Sequence, residues 1–315
     1  MAQPILVPLD GSAFAEAALP VAAALSRGTG APIAVALVHD PSAYIRFAPS
    51  DVAIPPHDAP MMRQLIDEQR AYLDRVVARL TGAGLTATAH WVEGTVIEAL
   101  SDTAVRQGAW LIVLTTHGRG GIERLWIGSV ASSLIQRAET PLLLVRPAET
   151  PTPLDQLPLG ADETRQAVHG PVLVPLDGSP FAEEVLPLAQ RVAQATGNPL
   201  TLFQVVEPRA VRLAPFGAEA LLADDLALAN EETDAREYLD RLAHRLELPD
   251  LPRSAVTDMS PARAILDEVR RVQPGIVALA THGRSGVSRL LLGSVADKLL
   301  RSIDRPLLVY RPRAR

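Results

Sequence analysis

Two stretches of the sequence repeat each other, and this internal duplication limits the fold more than any other feature. Residues 5–20 match residues 172–187 at 12 of 16 positions. A second block, 116–119 with the sequence THGR, recurs at 281–284 in the same relative place. The period is near 165 residues, which suits a whole domain and is far longer than a solenoid repeat. The chain is therefore predicted to be a tandem duplication of one domain.

Each half closes with a similar apolar run, and the residues between the halves have a different composition. The closing runs are 141–147 and 306–312. Residues 148–170 contain three prolines, two glycines and scattered acids, with no apolar periodicity, which is typical of a linker. We therefore predict a first domain over 1–147, a linker over 148–170 and a second domain over 171–315.

Strand-like and helix-like segments alternate through the first half. Five apolar or alternating runs predict strands, and the segments between them predict four helices. Strict alternation predicts the α/β class: two tandem doubly wound domains, each a five-stranded parallel sheet with helices on both faces. The predicted strands are 5–9, 33–39, 85–92, 110–115 and 141–145, and the predicted helices run from Ser12 to 28–30, over 65–80, over 95–107 and from Ser129.

Polar and glycine-rich segments follow the first and fourth predicted strands. In a doubly wound sheet, ligands bind at the carboxyl ends of the strands where the strand order reverses, and these two strands are the natural pair to flank that point. After strand four, Gly118 is followed by nine residues and then by Gly128-Ser129 at a helix start. Glycines let backbone approach an anion closely, and the free N–H groups of Ser129, Val130 and Ala131 would form an anion cradle. Gly283, Gly293 and Ser294 repeat this spacing in the second half.

Composition excludes several classes of protein. The net charge of −6 does not favour nucleic acid as a partner. Lys298 is the only lysine, so a P-loop NTPase is excluded, and the dinucleotide, serine-hydrolase and zinc-protease motifs are absent. The chain has no cysteine and no metal-ligand pattern, so we expect no metal held by the protein. With no long apolar run and no signal peptide, we expect a cytoplasmic protein that does not bind membranes.

The whole chain resembles a tandem universal stress protein, with both halves matched from first strand to last. The resemblance implies the adenine nucleotide α hydrolase-like fold and ATP as ligand, with Mg²⁺ on its phosphates. That family's nucleotide pattern is Gly-x₂-Gly-x₉-Gly-Ser/Thr. Here Thr115 and Ala280 replace its first glycine. A Gly-x-Pro feature before the third helix is also incomplete, since 94–96 keeps the glycine and 259–261 keeps the proline.

The resemblance implies equivalent nucleotide contacts in both halves. In the first half they are Pro8, Asp10, Val38, Thr115, His117, Gly118, Arg119, Gly128, Ser129, Val130 and Ala131. In the second half they are Pro175, Asp177, Val205, Ala280, His282, Gly283, Arg284, Gly293, Ser294, Val295 and Ala296.

Some of these residues have a structural interpretation beside the functional one. Asp10 and Asp177 follow the first strand of each half and could serve the turn and helix start alone. His117 and His282 could act as general bases, but no second acid or metal ligand lies near them in sequence, so no catalytic residue is assigned. Loop arginines such as Arg119 could bind phosphate or remain solvated.

Three functional hypotheses follow. The first is a regulatory stress-response protein that binds an adenine nucleotide without efficient turnover, and it fits the sequence best. The second is an interaction scaffold without nucleotide, favoured by Thr115 and Ala280, and the third is a slow ATP hydrolase. The family also pairs its last strands, so we expect 142–145 and 307–310 to pair within one chain as a pseudo-dimer, and two chains to form a homodimer.

Overall fold

A computed structural model describes residues 2–41, 60–116, 127–207, 218–281 and 293–312, and for 218–229 the backbone alone. The chain divides into two compact units, Met1–Val168 and His169–Arg315. Both belong to the predicted α/β class.

The first unit contains a parallel five-stranded sheet, as predicted. Its strands lie in the order β3-β2-β1-β4-β5, and every pairing between them is parallel. The strands are β1 Ile5–Leu9, β2 Ile33–His39, β3 Ala87–Glu93, β4 Leu111–Thr115 and β5 Leu142–Val145. The helices are α1 Ala13–Glu16, α2 Leu19–Thr29, α3 Pro60–Gly82, α4 Val96–Gln107, α5 Ser129–Arg137 and α6 Ala161–Ala167.

The second unit repeats this arrangement. Its strand order is β10-β9-β6-β7-β8, again with parallel pairings. The strands are β6 Val172–Leu176, β7 Leu200–Val206, β8 Arg253–Thr257, β9 Ile276–Ala280 and β10 Leu307–Tyr310. The helices are α7 Pro180–Glu183, α8 Leu186–Thr196, α9 Ala218–Arg245, α10 Pro261–Val272 and α11 Ser294–Ser302. No helix in the described ranges is both long and apolar enough to cross a bilayer.

The helix predicted to run from Ser12 to 28–30 is two helices. Ser12 caps α1 by accepting a hydrogen bond from the Ala15 N–H at 3.2 Å, as predicted, and α2 ends at Gly30 in the left-handed conformation. The break between them arises because Pro20 has no N–H to donate to the carbonyl of Glu16. Pro187 occupies the same place in α8.

The segment 148–170, predicted as a linker, is largely folded against the first unit. It contains a 3₁₀ turn at Leu154–Gln156 and the helix α6, which packs on α2. Leu157 and Leu159 are buried, and their carbonyls accept hydrogen bonds at 2.8 Å from Arg79 and Arg27 respectively. Composition alone did not show this, because two buried leucines in short turns produce no periodic pattern.

The two sheet faces of the second unit are identified by hydrogen bonds from β8. Thr257 donates to Glu232 of α9 at 2.7 Å, whereas Ser254 donates to Glu268 of α10 at 3.3 Å. Because successive strand residues point to opposite faces, α9 covers one face and α10 covers the other. In the first unit, His39 and Trp91 contact Gln69 of α3 in the same way, and α4 and α5 pack on each other.

Candidate functional site

The strand order reverses between β1 and β4 in the first unit. From β1 the chain continues outward to β2 and β3, and it then crosses to β4 and β5 on the other side. β1 and β4 are direct neighbours, with Ile5 opposite Leu111. In the second unit β6 and β9 are the matching pair. The structure thus confirms that strands one and four flank the switch point, where doubly wound sheets open a crevice.

A tight Asp-Gly-Ser turn leaves β1 at this point. The Asp10 Oδ1 atom accepts hydrogen bonds from the N–H and the hydroxyl of Ser12, at 2.9 and 2.6 Å. Gly11 has φ of +82°, a conformation that glycine adopts without strain. Asp10 therefore has a structural role in holding the turn that starts α1, whether or not it also contacts a ligand.

The second unit builds the same turn after β6. The Asp177 Oδ1 atom accepts from the Ser179 N–H at 2.9 Å, and Gly178 has φ of +81°. A side chain at Gly178 would also lie 3.2 Å from the Gln204 amide nitrogen. The duplicated sequence therefore gives a duplicated backbone geometry at both candidate sites.

The start of α5 is fixed to the end of β4. The Gly128 N–H donates to the carbonyl oxygen of Thr116 at 2.7 Å, and α5 begins at Ser129 as predicted, with no side-chain cap. The first N–H groups of a helix have no acceptor within the helix, and they carry the positive end of the helix dipole. In the second unit α11 begins at Ser294, again behind a glycine without a side-chain cap. Ser129 and Ser294 are both exposed.

A half-exposed apolar strip lies on one face of the sheet near this helix start. Pro8 and Val38 are each half-buried, whereas Leu9 and Leu37 on the opposite face are buried. Pro8 pairs with Ala36, so Pro8 and Val38 share a face by strand alternation. Pro175 and Val205 are the half-buried counterparts in the second unit.

The residues that replace the first glycine of the nucleotide pattern point away from this strip. Leu6 pairs with Ile112, so Pro8 and Thr116 fall on one face and Thr115 on the other. The Thr115 side chain is buried there. Ala280 has the equivalent place at the end of β9. The added Cβ atoms therefore do not fill the side on which Pro8 and Pro175 lie.

Six predicted contacts cannot be placed. His117, Gly118, Arg119, His282, Gly283 and Arg284 lie outside the described residues. The residues just before them, Thr116 and Thr281, are buried hydroxyls at the strand ends that sequence reasoning did not select. Their position as the first letter of the repeated THGR block was the signal that could have identified them.

The turn after the third strand differs between the units. The Gly94 N–H donates to the His39 carbonyl and the Asp258 N–H donates to the Val206 carbonyl, at 3.0 and 3.1 Å. Asp258 therefore replaces Gly94, and the sequence alignment of Gly94 with Met259 was wrong. Met259 is an extra residue in the longer turn, and its side chain is 72% exposed.

An ion pair holds this longer turn closed. Asp258 Oδ1 accepts from the Ser260 N–H at 2.7 Å, and both carboxylate oxygens accept from Arg263, at 2.8 and 2.9 Å. The hydrogen bond from the Ser260 backbone, followed by that from Arg263, lowers the pKa of Asp258. The carboxylate thus stays charged, and its ion pair with Arg263 joins the two ends of the turn before α10 on its exposed side.

Comparison with known proteins places both units in one family. The model of the universal stress protein family matches residues 1–146 and 169–311. A universal stress protein of Mycolicibacterium smegmatis is 29% identical over 328 residues, covering 98% of this chain and 97% of that protein. One from Mycobacterium tuberculosis is 32% identical over 211 residues, covering 64% of this chain and 62% of that protein.

A solved structure supports the fold of the whole chain. The universal stress protein from Archaeoglobus fulgidus DSM 4304 is similar with a TM-score of 0.64 and 16% identity, covering 99% of each chain. At this identity the likeness shows the fold alone. Because the family model spans most of both units, the chain belongs to the universal stress protein family and carries its domain twice.

Proposed function

We propose that each unit binds ATP, together with Mg²⁺, at the carboxyl ends of its central strands, and that the protein acts as a regulatory nucleotide binder in the stress response. The observation that carries the proposal is the uncapped start of α5. It is tied by the bond between Gly128 and Thr116 to the end of β4, the strand next to β1, which carries the half-exposed Pro8.

The apolar strip suits the base of the nucleotide. Ligand pockets are lined mainly by apolar groups, with a few polar groups that fix orientation. Pro8 and Val38 are partly exposed although they are apolar, and a flat aromatic base would remove that surface from water. Pro175 and Val205 offer the same surface in the second unit.

The helix start suits the phosphates. A helix N-terminus offers unpaired N–H groups and a positive dipole, and it is a frequent phosphate-binding site. Gly128 lacks a Cβ, so a phosphate can approach the N–H groups of Ser129 and Val130 closely. The exposed Ser129 hydroxyl supplies a further donor.

The proposed role is binding without efficient turnover. Asp10 and Asp177 are engaged in the turns that follow β1 and β6, and the sequence offers no assigned base for hydrolysis. A bound nucleotide regulates only to the extent that it binds one conformation or assembly better than another. A second copy of the chain, in the expected homodimer, is one partner whose binding would depend on whether nucleotide is bound.

Calorimetry of the nucleotide-stripped protein with ATP and Mg²⁺ tests the proposal, using Ser129→Glu and Ser294→Glu. An acidic residue in the first turn favours the helix dipole, so both variants should fold normally while repelling phosphate. We expect each variant to remove one of two binding events and the double variant to remove both. Ser129→Ala is the matched control and should weaken binding only modestly.

Absence of saturable heat and of thermal stabilisation at millimolar ATP would contradict nucleotide binding. It would leave the interaction scaffold as the function of the fold. Unchanged binding in the double glutamate variant would place the nucleotide elsewhere on the protein.

A further inference from the structure

One buried hydroxyl at the second site has no hydrogen-bond partner in the described part of the chain. Thr281 is only 3% exposed, and its Oγ1 atom is closed off from solvent and unpaired there. Buried polar side chains are nearly always paired, and an unpaired one lowers the stability of the folded state. Such a group is a candidate for a ligand contact.

Strand geometry places this hydroxyl on the ligand face. The Thr281 N–H donates to the Tyr310 carbonyl at 2.8 Å, so the residue continues the β9 ladder by one position. Leu173 pairs with Val277, and alternation therefore places Thr281 on the same face as Pro175. This is the face covered by α10, because it includes Ser254 of β8, which donates to α10.

The hydroxyl also lies at the carboxyl end of β9, the strand that precedes α11 along the chain. In the first unit the backbone carbonyl oxygen of the equivalent residue, Thr116, accepts the Gly128 N–H at 2.7 Å, so that strand end touches the helix start directly. In the second unit, where both residues are described, no matching bond joins Gly293 to Thr281, so the sequence repeat alone relates this strand end to Gly293, where α11 begins without a side-chain cap. The uncapped helix and the unpaired hydroxyl are two independent features of the second unit.

We propose that the Thr281 hydroxyl donates a hydrogen bond to a phosphate oxygen of the ligand in the second unit. The inference rests on the proposed function and adds a residue to its phosphate site. A hydroxyl can donate to an anionic oxygen, and hydrogen bonds to charged groups are stronger than those between neutral groups.

The two sites are therefore unequal in this contact. Thr116 already has a further interaction within the protein, whereas the Thr281 hydroxyl has none among the described residues. A ligand at the second site satisfies a group that the empty protein leaves unpaired.

The test is Thr281→Val in a Ser129→Glu background, which leaves the second site alone to be titrated. Valine has nearly the shape of threonine and lacks the hydroxyl. We expect ATP affinity to fall about tenfold or more, with adenosine affinity unchanged because adenosine carries no phosphate. The melting temperature of the ligand-free protein should stay the same or rise, because an unpaired buried hydroxyl has been removed.

Thr164→Val is the matched control outside the site. Thr164 is 1% exposed, but its hydroxyl is paired, donating to the Gly160 carbonyl at 2.9 Å. We expect this variant to lower the melting temperature of the ligand-free protein and to leave ATP binding unchanged.

Three results would overturn the inference. Equal ATP affinity in Thr281→Val and its parent would remove the contact while leaving the proposed function intact. A melting temperature lowered as in Thr164→Val would show that the hydroxyl is paired within the protein. Failure of the Ser129→Glu parent to bind ATP, where Ser294→Glu also fails, would overturn both this inference and the proposed function.

Discussion

The helices α2 and α8 arise from the same duplicated segment, yet α2 is buried at every position from Leu19 to Ser26, whereas α8 has exposed positions along its length. Ala24 of α2 is 8% exposed, whereas its counterpart Arg191 in α8 is exposed. The difference follows the segment 148–168, which packs on α2 and belongs to the first unit. The two duplicated helices thus differ in side-chain size where their neighbours differ, and the helix covered by the packed segment, α2, has the small residue.

The same segment changes the hydrogen-bond partner of an arginine that is present at equivalent positions in both units. Arg245 of the second unit pairs with Glu183 at 2.6 Å. Its counterpart Arg79 donates instead to the Leu157 carbonyl of the packed segment. Glu16, the counterpart of Glu183, is consequently buried with Tyr72 as its hydrogen-bond donor at 2.9 Å. One packed segment therefore changes both the burial and the charge balance of the first unit.

The largest effect should come from exchanging residues between α2 and α8. Ala24→Arg places a long charged side chain at a buried position of α2, and we expect a loss of about 3 kcal/mol or more. The reciprocal Arg191→Ala, on an exposed face, should change stability by less than about 1 kcal/mol. Scanning calorimetry of both variants checks this. Similar losses in both would show that the two helices are covered alike.

Removal of Arg27 should loosen the packed segment. Its guanidinium donates to the carbonyls of Ala83 and Leu159, both at 2.8 Å, and truncation leaves these acceptors without that donor. We expect Arg27→Ala to cost about 2 kcal/mol and to speed proteolysis within 148–168. The counterpart variant Gln194→Ala, at an exposed position, should stay within about 0.5 kcal/mol. Unchanged proteolysis in Arg27→Ala would contradict this anchoring role.

Where the repeat builds the same N-cap bond, similar effects are expected. Ser12 accepts from the Ala15 N–H at 3.2 Å, and Ser179 accepts from the Ala182 N–H at 3.1 Å. We expect Ser12→Ala and Ser179→Ala each to lose about 1 kcal/mol, the usual effect of deleting an N-cap. Denaturant unfolding measures both. A loss in one unit only would show that the shared turn is not equally important.

The smallest predicted effect is on the stability changes caused by replacing Glu16 and its counterpart Glu183, which should differ in sign. Burial raises the pKa of Glu16, against the opposing hydrogen bond from Tyr72. The folded state then holds the proton more tightly than the unfolded state, so this group's contribution to stability is present at low pH. That contribution is lost as the pH rises from 4.5, the ordinary value, through the raised pKa.

Glu16→Gln should therefore make the protein slightly more stable at neutral pH and flatten the pH dependence of unfolding. Glu183→Gln instead removes an ion pair with the exposed Arg245 and keeps an acceptor for the Tyr238 hydroxyl, so it should destabilise by at most about 0.5 kcal/mol. Thermal unfolding measured at a series of pH values separates the two. Destabilisation by both variants would contradict the difference inferred for the first unit.

The sequence was sufficient for the features that depend on local pattern and on topology. The alternation of strands and helices predicted the two five-stranded sheets, and the starts of α5 and α11 at Ser129 and Ser294 were predicted from a glycine before a helix. The switch point followed because right-handed crossovers leave few possible strand orders.

Other features depend on contacts that local patterns do not encode. The packing of 148–168 depends on acceptors that meet Arg27 and Arg79 only in the folded chain. The extra residue Met259 was hidden because only the β ladder shows that Asp258 replaces Gly94. The pairing of 142–145 with 307–310 and the homodimer stay predictions.

Equilibrium dialysis of the nucleotide-stripped chain against labelled ATP with Mg²⁺ tests the central claim most directly. The account predicts saturation near two nucleotides per chain, one in Ser129→Glu and none in the double variant with Ser294→Glu. No bound nucleotide at millimolar ATP, or an equal amount bound by the double variant, would contradict it.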